Sequence, residues 1–395
     1  MKESVIYREQ SATKSQYREQ SFSRAPVALI EPVGGHGGMD YYDYGLAYGL
    51  GSHGVKTLYY TCDVTKKRNF ENVETFFSFT RLWSRNVLSK ASEYIKGHAV
   101  AFRDAKSKGA RIAHLHFFTF RGIDLIVLSI GKLLGFKCIG TIHDVNSFTK
   151  QANHYIELAC YKLMDGVVVH NQSSLNFLTE KRLTNNPVAV IPHGNYLPFI
   201  STSSSKKSVG PELRILFFGQ IKQVKGLDIL LEAIAKVGTR GRKIHLTIAG
   251  KAWKSDLDYY KNLITSLGIT NVVRTDFRYI PDEEVAGFYD NADLVVLPYR
   301  EIYQSGVLLL SLSYGKPVLC SDLKPFMEII RDNETGFLFE SENAEDLAGK
   351  IMEIADNPDR LSTVTKMSNR LIREDYDWAN IGALTTDFYK KVIEG

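Results

Sequence analysis

Phe217-Phe218-Gly219-Gln220-Ile221-Lys222-Gln223-Val224-Lys225-Gly226 decides the fold: an apolar strand runs into a polar, glycine-bearing loop that carries two lysines and opens a helix. The same order returns downstream. Pro298-Tyr299-Arg300-Glu301-Ile302-Tyr303-Gln304-Ser305-Gly306 follows a strand and precedes a helix ending at Tyr314-Gly315-Lys316-Pro317-Val318-Leu319. Glu328 then stands shortly before Thr335-Gly336-Phe337-Leu338. Repeats of this kind build a parallel sheet whose C-terminal edge is lined by helix N-termini, and such an edge binds phosphate. A lysine and a carboxylate beside it suit a nucleotide-sugar, whose diphosphate needs cations and whose hydroxyls need an acceptor.

Outward from this stretch the alternation continues in both directions. Strands are expected over 214–218, 245–249, 272–275, 294–297 and 317–320, with helices over 227–237, 255–267, 282–290 and 308–314. Upstream, strands are expected over 26–30, 57–60, 112–116, 137–142, 166–170 and 188–191. Strand–helix alternation implies right-handed crossovers and parallel sheets covered on both faces. The break between the halves is Ser201-Thr202-Ser203-Ser204-Ser205-Lys206-Lys207-Ser208, a Ser/Lys run that cannot pack. The expected organisation is therefore a polar tail over 1–24, a Rossmann-like N-terminal domain over 25–200, a linker over 201–212 and a second Rossmann-like domain over 213–375. Tyr7-Arg8-Glu9-Gln10-Ser11 recurs as Tyr17-Arg18-Glu19-Gln20-Ser21 in the tail, too few copies for a repeat architecture.

Length and composition agree. A chain of 395 residues exceeds one ordinary core, and 44% hydrophobic with 24% charged residues is the balance of a globular protein. Cys62, Cys138, Cys160 and Cys320 are scattered without metal or disulfide spacing, which reads as free thiols. The first twenty residues are too polar for a signal peptide, and the greasy stretch 122–136 is short and interrupted by Asp124 and Lys132. A cytoplasmic protein, at most peripheral on the inner face of the plasma membrane, is expected. Between Lys66 and Lys108, ten Lys/Arg face four Asp/Glu, an excess larger than the whole chain's +5. With Phe70, Phe76, Phe77, Phe79, Leu82 and Trp83 in the same window, it is either a solvated helix face beside core aromatics or a surface for anionic lipid. No nucleic-acid motif accompanies the charge.

Glu31-Pro32-Val33-Gly34-Gly35-His36-Gly37-Gly38 follows the first strand and precedes a helix expected over 41–50. Glycines let backbone N–H groups approach an anion, with a helix dipole behind them. The run lacks the spacing and lysine of NAD or ATP loops. A tight turn needs fewer glycines, so Gly34, Gly35, Gly37 and Gly38 read as a loop for diphosphate or acceptor. His36, His114, His116 and His170 read as structural. His193-Gly194 reads as the loop entering the hinge. Asp256-Leu257-Asp258 and Asp375-Tyr376-Asp377 fall in helical stretches, where capping outweighs metal binding, so no metal is expected.

The order and spacing of these pieces, over about residues 26–390, resemble the GT-B glycosyltransferases, in particular the large, mostly retaining family of sucrose synthases and phosphatidylinositol mannosyltransferases. The resemblance implies two Rossmann-like domains facing a cleft, acceptor side first and donor side second, with a helix over 376–395 crossing back. It makes Lys225 the cation on the diphosphate and His143, at a strand end, a cleft histidine touching the donor sugar. Asp144 beside it is a helix cap or histidine orienter. Ser305 and Gly306 would offer helix N–H groups to the diphosphate. Three departures stand out. Gln220 replaces the usual arginine; it can hydrogen-bond the diphosphate but cannot neutralise it, leaving the missing charge to Lys222 or Arg300. Glu301 lies one residue off the first of two family glutamates and is expected to take its catalytic role by the sugar through a shifted loop, and Leu310 stands where the second would hold ribose. Glu328 is the remaining candidate for ribose.

The resemblance implies a hexosyltransferase of polysaccharide or glycolipid assembly, retaining and metal-independent. It uses a nucleoside-diphosphate sugar as substrate (UDP-sugar, for example UDP-glucose, ahead of GDP-mannose) and no cofactor. The acceptor is a saccharide or a lipid-diphosphate-linked sugar. An epimerase of GT-B shape and a degenerate sugar-nucleotide-binding member are the rival readings.

Overall fold

The computed structural model describes residues 25–35, 38–80, 82, 87–145, 153–200, 212–239, 243–253 and 256–395. The expected tail, most of the linker, Gly37, His36 and Trp83 lie outside them.

Two parallel sheets carry the chain. The first has seven strands: β1 (Val27–Ile30), β2 (Thr57–Cys62), β3 (Val73–Phe79), β4 (Ile112–Phe117), β5 (Lys137–Ile142), β6 (Gly166–Val169) and β7 (Val188–Val190), in the order β3-β2-β1-β4-β5-β6-β7. The second has six: β8 (Leu213–Phe218), β9 (Ile244–Ala249), β10 (Val273–Asp276), β11 (Leu294–Leu297), β12 (Val318–Ser321) and β13 (Phe337–Phe339), in the order β10-β9-β8-β11-β12-β13. Each order reverses direction beside its first strand, and in such sheets the crevice at the strands' C-terminal ends takes the ligand.

The strands are nearly continuous apolar runs because both faces are covered. In β1, Val27 and Leu29 pack into one core, while Ala28 and Ile30 pack into another. In β8, Leu213, Ile215 and Phe217 take one side and Leu216 and Phe218 the other. Helices α1 (Met39–Ser52), α2 (Val87–Ser107), α3 (Gly122–Leu133), α4 (His154–Leu163) and α5 (Gln172–Glu180) serve the first sheet. The second sheet carries α6 (Leu227–Thr239), α7 (Leu257–Ser266), α8 (Asp282–Asp290), α9 (Gly306–Ser313), α10 (Lys324–Met327), α11 (Ala344–Asp356) and α12 (Pro358–Glu374).

The final helix, α13 (Trp378–Glu394), lies on α1 of the first half. A side chain on Gly49 or Gly382 would strike the other helix's backbone at 2.0–2.1 Å, so only glycines allow this approach. Trp378 is buried there, and its Nε1 donates to the Asn195 carbonyl at 2.7 Å. The Asn195 amide in turn donates to the Ile372 carbonyl at 3.0 Å, tying the chain that leaves the first sheet to the chain that returns to it.

The basic window 66–108 differs from the expected helix face. Its first part is the edge strand β3, built from Val73, Thr75, Phe76, Phe77 and Phe79, residues that favour strands. Phe79 is buried, Phe76 packs on the core and Phe77 is exposed. Arg81 and Arg85 lie outside the described residues.

Candidate active site

The decisive stretch forms a tight turn between β8 and α6. Gly219 has φ 103° and Gly226 φ 63°, and a side chain at Gly226 would lie 1.8 Å from the Pro298 carbonyl oxygen. Glycine is required by both conformation and space. This close approach brings the turn against the chain leaving β11. Lys225, at the end of the turn, sets its ammonium 5.1 Å over the Tyr299 ring. Burial lowers its pKa to about 8, and among the described residues no carboxylate pairs with it. A half-buried cation without an anion is a site for one.

The neighbouring cations are engaged. Arg300 does not supply the charge that Gln220 lacks: it forks onto Asp228 at 2.9 and 2.8 Å and reaches Glu342 at 3.0 Å and the Gln223 carbonyl at 2.9 Å. A planar guanidinium matches a carboxylate in two places, so it is fixed as a brace. Lys222 acts across the cleft on Asp144, whose pKa burial raises to about 6 and Lys222 pulls back down. Gln220 is exposed. Asp144 caps no described helix, since α4 begins at His154 with Asn153 as its cap.

Ser305 caps α9 with its hydroxyl, which accepts from the Leu308 N–H at 3.2 Å. Tyr196 stands over the first turn, 2.8 Å from where a Gly306 side chain would begin. Glu301 is exposed and lines an open depression of about 300 Å³ with Gln223, Val224, Arg300, Ser341 and Glu342. No cleft histidine lines that depression.

Glu328 is committed elsewhere than the ribose expectation placed it. Its carboxylate accepts from the Gln172 and Ser173 N–H groups at 2.7 and 2.9 Å and from the Ser173 hydroxyl at 2.5 Å. Those are unsatisfied donors at the start of α5, and a carboxylate there also meets the positive end of the helix dipole. Next to it, the Asn171 amide donates to the Tyr303 carbonyl at 2.5 Å. Loops of the second half thus close onto the first.

The glycine loop also turns inward. The Val33 N–H donates to Glu31 Oε1 at 2.5 Å, Gly34 bonds the same carboxyl, and the Gly35 N–H donates to Thr65 at 3.1 Å. A side chain at Gly34 would collide with Thr65 at 1.9 Å. Gly34 therefore serves the buried Glu31, which needs donors, and Gly35 serves Thr65, rather than a diphosphate. Gly38 adopts φ 82° at the start of α1, and Gly37 is outside the described residues.

Sequence reading missed the feature that surrounds His143. The strands β4, β5 and β6 end side by side, and His116, His143 and His170 project from those ends into one buried file. His116 Nδ1 lies 3.0 Å from His143 Nε2, and His143 Nδ1 lies 3.2 Å from His170 Nε2. His193 and His114 extend the cluster around the Tyr42 ring and His116. Burial pushes all five imidazoles down: His170 to about 4, His114 and His193 to about 3, and His116 and His143 well below the ordinary value. Phe118 stacks on His143, and Gln304 of the second half reaches the same ring. Equal spacing from strand end to strand end was the only signal in the sequence. Among the described residues no three His, Cys, Asp or Glu side chains converge as metal ligands. The two Asp-x-Asp strings cap helices, Asp256 on α7 and Asp377 on α13.

Residues 201–378 match the family model for glycosyl transferases group 1. An uncharacterized glycosyltransferase of Methanocaldococcus jannaschii is 27% identical over 195 residues, 48% of either chain. A D-inositol 3-phosphate glycosyltransferase of Corynebacterium aurimucosum is 30% identical over 170 residues, 41% of this chain and 40% of its own. The chain spans about half the length of these curated relatives. Among solved structures, sucrose-phosphate synthase from Thermosynechococcus elongatus superposes with a TM-score of 0.73 at 18% identity, over 94% of this chain and 100% of that one. Anabaena HepE in complex with UDP and glucose gives 0.72 at 17% identity, over 93% and 100%. The fold is that of the GT-B glycosyltransferases. The similarity to the group 1 glycosyl transferases lies in the C-terminal half of this chain.

Proposed function

We propose that this protein transfers a hexose from a nucleoside-diphosphate sugar, UDP-sugar before GDP-mannose, to a saccharide or lipid-linked acceptor. The observation that carries the reading is Lys225, a half-buried ammonium with no carboxylate partner among the described residues, at the C-terminal edge of the second sheet. A diphosphate supplies the missing counter-charge, and a cation fixed before the substrate arrives stabilises the leaving group most as its charge grows. The start of α9 at Ser305 and Gly306 adds the positive end of a helix dipole. The relative of Xanthomonas campestris described as a GDP-mannose:glycolipid 4-beta-D-mannosyltransferase (28% identical over 207 residues) supports sugar transfer to a lipid-linked acceptor.

Retention of configuration and independence from metal belong to this proposal. So does docking on anionic membrane, which is supported by Val87 and Leu88, 77% and 80% exposed at the start of α2 in the basic window. No helix among the described residues is long and apolar enough to cross a membrane. The test is a panel of UDP- and GDP-sugars, with and without EDTA, scored for thermal stabilisation and slow donor hydrolysis. Stabilisation by one nucleotide-sugar with EDTA-resistant release of its sugar is expected. A panel with neither effect overturns the reading.

A further inference from the structure

A file of side chains runs from α1 to the cleft, and its far end sets the direction of each hydrogen bond in it. The Ile191 carbonyl has no proton to give, so His170 Nδ1, 2.9 Å away, carries one. The other nitrogen of neutral His170 is then an acceptor, and the contact with His143 is donated by His143 Nδ1. By the same step His143 Nε2 accepts from His116 Nδ1. That leaves the His116 Nε2 lone pair facing Asp43 Oδ1 at 3.7 Å, and both atoms are buried without a hydrogen bond. The second oxygen of Asp43 is held by the Tyr59 hydroxyl at 2.7 Å. A lone pair and a carboxylate oxygen repel, so one proton belongs in that gap. Burial keeps it on Asp43, whose carboxyl is raised while His116 is lowered.

We propose that Asp43, His116 and His170 are positioning residues, which hold the cleft imidazole of His143 in the Nδ1–H tautomer for the reaction proposed above. The inference rests on that reading of the site. A ring nitrogen's protonation is set by the bond its other nitrogen makes, and here both nitrogens of His143 are fixed by neighbours. With both nitrogens engaged, the ring stands in one place at the cleft before the donor binds, so no reorganisation of the file is needed. Tyr42, edge-on to His116, His143 and His170, and Phe118, stacked on His143, keep the rings from turning.

The tautomers are read directly by long-range proton–nitrogen NMR of the full-length protein labelled with ¹⁵N-histidine, with His143→Phe and His116→Asn assigning the signals. The expected spectrum shows His116, His143 and His170 neutral with the proton on Nδ1. An Nε2–H tautomer or an imidazolium at His143 overturns the relay. Function is read from kcat and KM for donor hydrolysis. His116→Asn places an amide donor where Nδ1–H stood and is expected to stay within about threefold of the parent, since it keeps the contact. His116→Leu removes the donor and is expected to lower kcat on the order of tenfold with little change in KM. Where His116→Leu does not fold, His170→Leu, which removes the acceptor for His143 Nδ1–H, gives the same readout. Equal kcat for the asparagine and leucine variants overturns the positioning role. If the parent releases sugar from no donor, the transferase reading fails and the role with it, while the spectrum still judges the relay by itself.

Discussion

The carboxylate of Glu328 sits on the first turn of α5, 2.7 Å from the Gln172 N–H and 2.9 Å from that of Ser173, and so joins the two halves of the molecule. A side chain with both oxygens engaged at a helix start is a poor ribose acceptor unless the cleft opens. Glu328→Gln removes the charge and one acceptor, and is expected to lower stability by about 0.5–1 kcal/mol, the usual worth of an exposed cap. UDP affinity is expected to stay within about twofold, as no ribose contact is lost. Scanning calorimetry and titration calorimetry on one variant check both. A tenfold loss of UDP affinity would show that the cleft opens and Glu328 holds ribose after all.

Lys225 makes the opposite commitment, since no carboxylate among the described residues claims it. Lys225→Ala is expected to weaken nucleotide binding and reduce transfer by on the order of 10²-fold, the loss typical of an electrostatic transition-state partner. The pKa of about 8 adds a signature. A lowered lysine is charged below its pKa and neutral above it, so UDP affinity falls as pH rises through about 8, with proton uptake on binding. Flat affinity from pH 7 to 9 in the parent would contradict this.

Much of this was legible. Buried parallel strands announce themselves as apolar runs between turn signals, and most expected strands are found within a residue or two of their bounds. β3 was not, because an edge strand is covered on fewer sides, and its charges imitate a helix face. The decisive glycines at 219 and 226 were readable, since only a close backbone approach explains them. The partners of Arg300 and Glu328 were not, because Asp228 lies 72 residues from Arg300 and Ser173 lies 155 from Glu328. The histidine file was hidden for the same reason: strand-end neighbours become adjacent only through the sheet.

The buried groups also shape stability against pH. His98, His114, His116, His143, His170 and His193 all have lowered pKa values through burial, from the ordinary 6.5. Below pH 6.5 the unfolded chain binds protons that the folded one refuses, so acid destabilises. Glu31, Asp40, Asp43, Asp124, Asp144 and Glu157 are raised and oppose this, but only Glu31, Asp43 and Asp144 are raised far, against six histidines. Above pH 6.5 the histidines are neutral in both states. Glu31, ionised above about 4.5 in the unfolded chain but held neutral to about 8 in the fold, goes on lowering stability as pH rises to about 8. The melting temperature is expected to peak near pH 6.5 and to fall by about 5 °C or more towards pH 5. A melting curve that rises continuously into acid would refute the neutral histidine cluster.

Membrane docking has its own handle in Leu88, which is exposed on α2. Leu88→Asp adds charge and removes apolar surface without touching the cleft. Sedimentation with vesicles of anionic phospholipid is expected to rise with anionic content, fall with salt and drop in this variant. Donor hydrolysis in solution should be unchanged. Vesicle binding that ignores both salt and the substitution would remove this surface from consideration.

Leu310 gives the sharpest test of how the donor site departs from its relatives. It stands on α9, where Leu308, Leu309 and Leu312 are buried, and it is itself half-buried against the same core. A site that had merely lost a ribose contact would regain it in Leu310→Glu, with tighter UDP binding and little thermal penalty. The packing argues otherwise. A carboxylate at a half-buried position among leucines loses part of its hydration and finds no designed partner, which costs on the order of 1–3 kcal/mol. With α9 pinned at its start by the Ser305 cap and held through Ser311 and Ser313 to its own backbone, the helix has little freedom to turn the new side chain outward. A lower melting temperature with no gain in UDP affinity is therefore expected. Tighter UDP binding at unchanged melting temperature would mean that the pocket for the ribose hydroxyls is still built around this position.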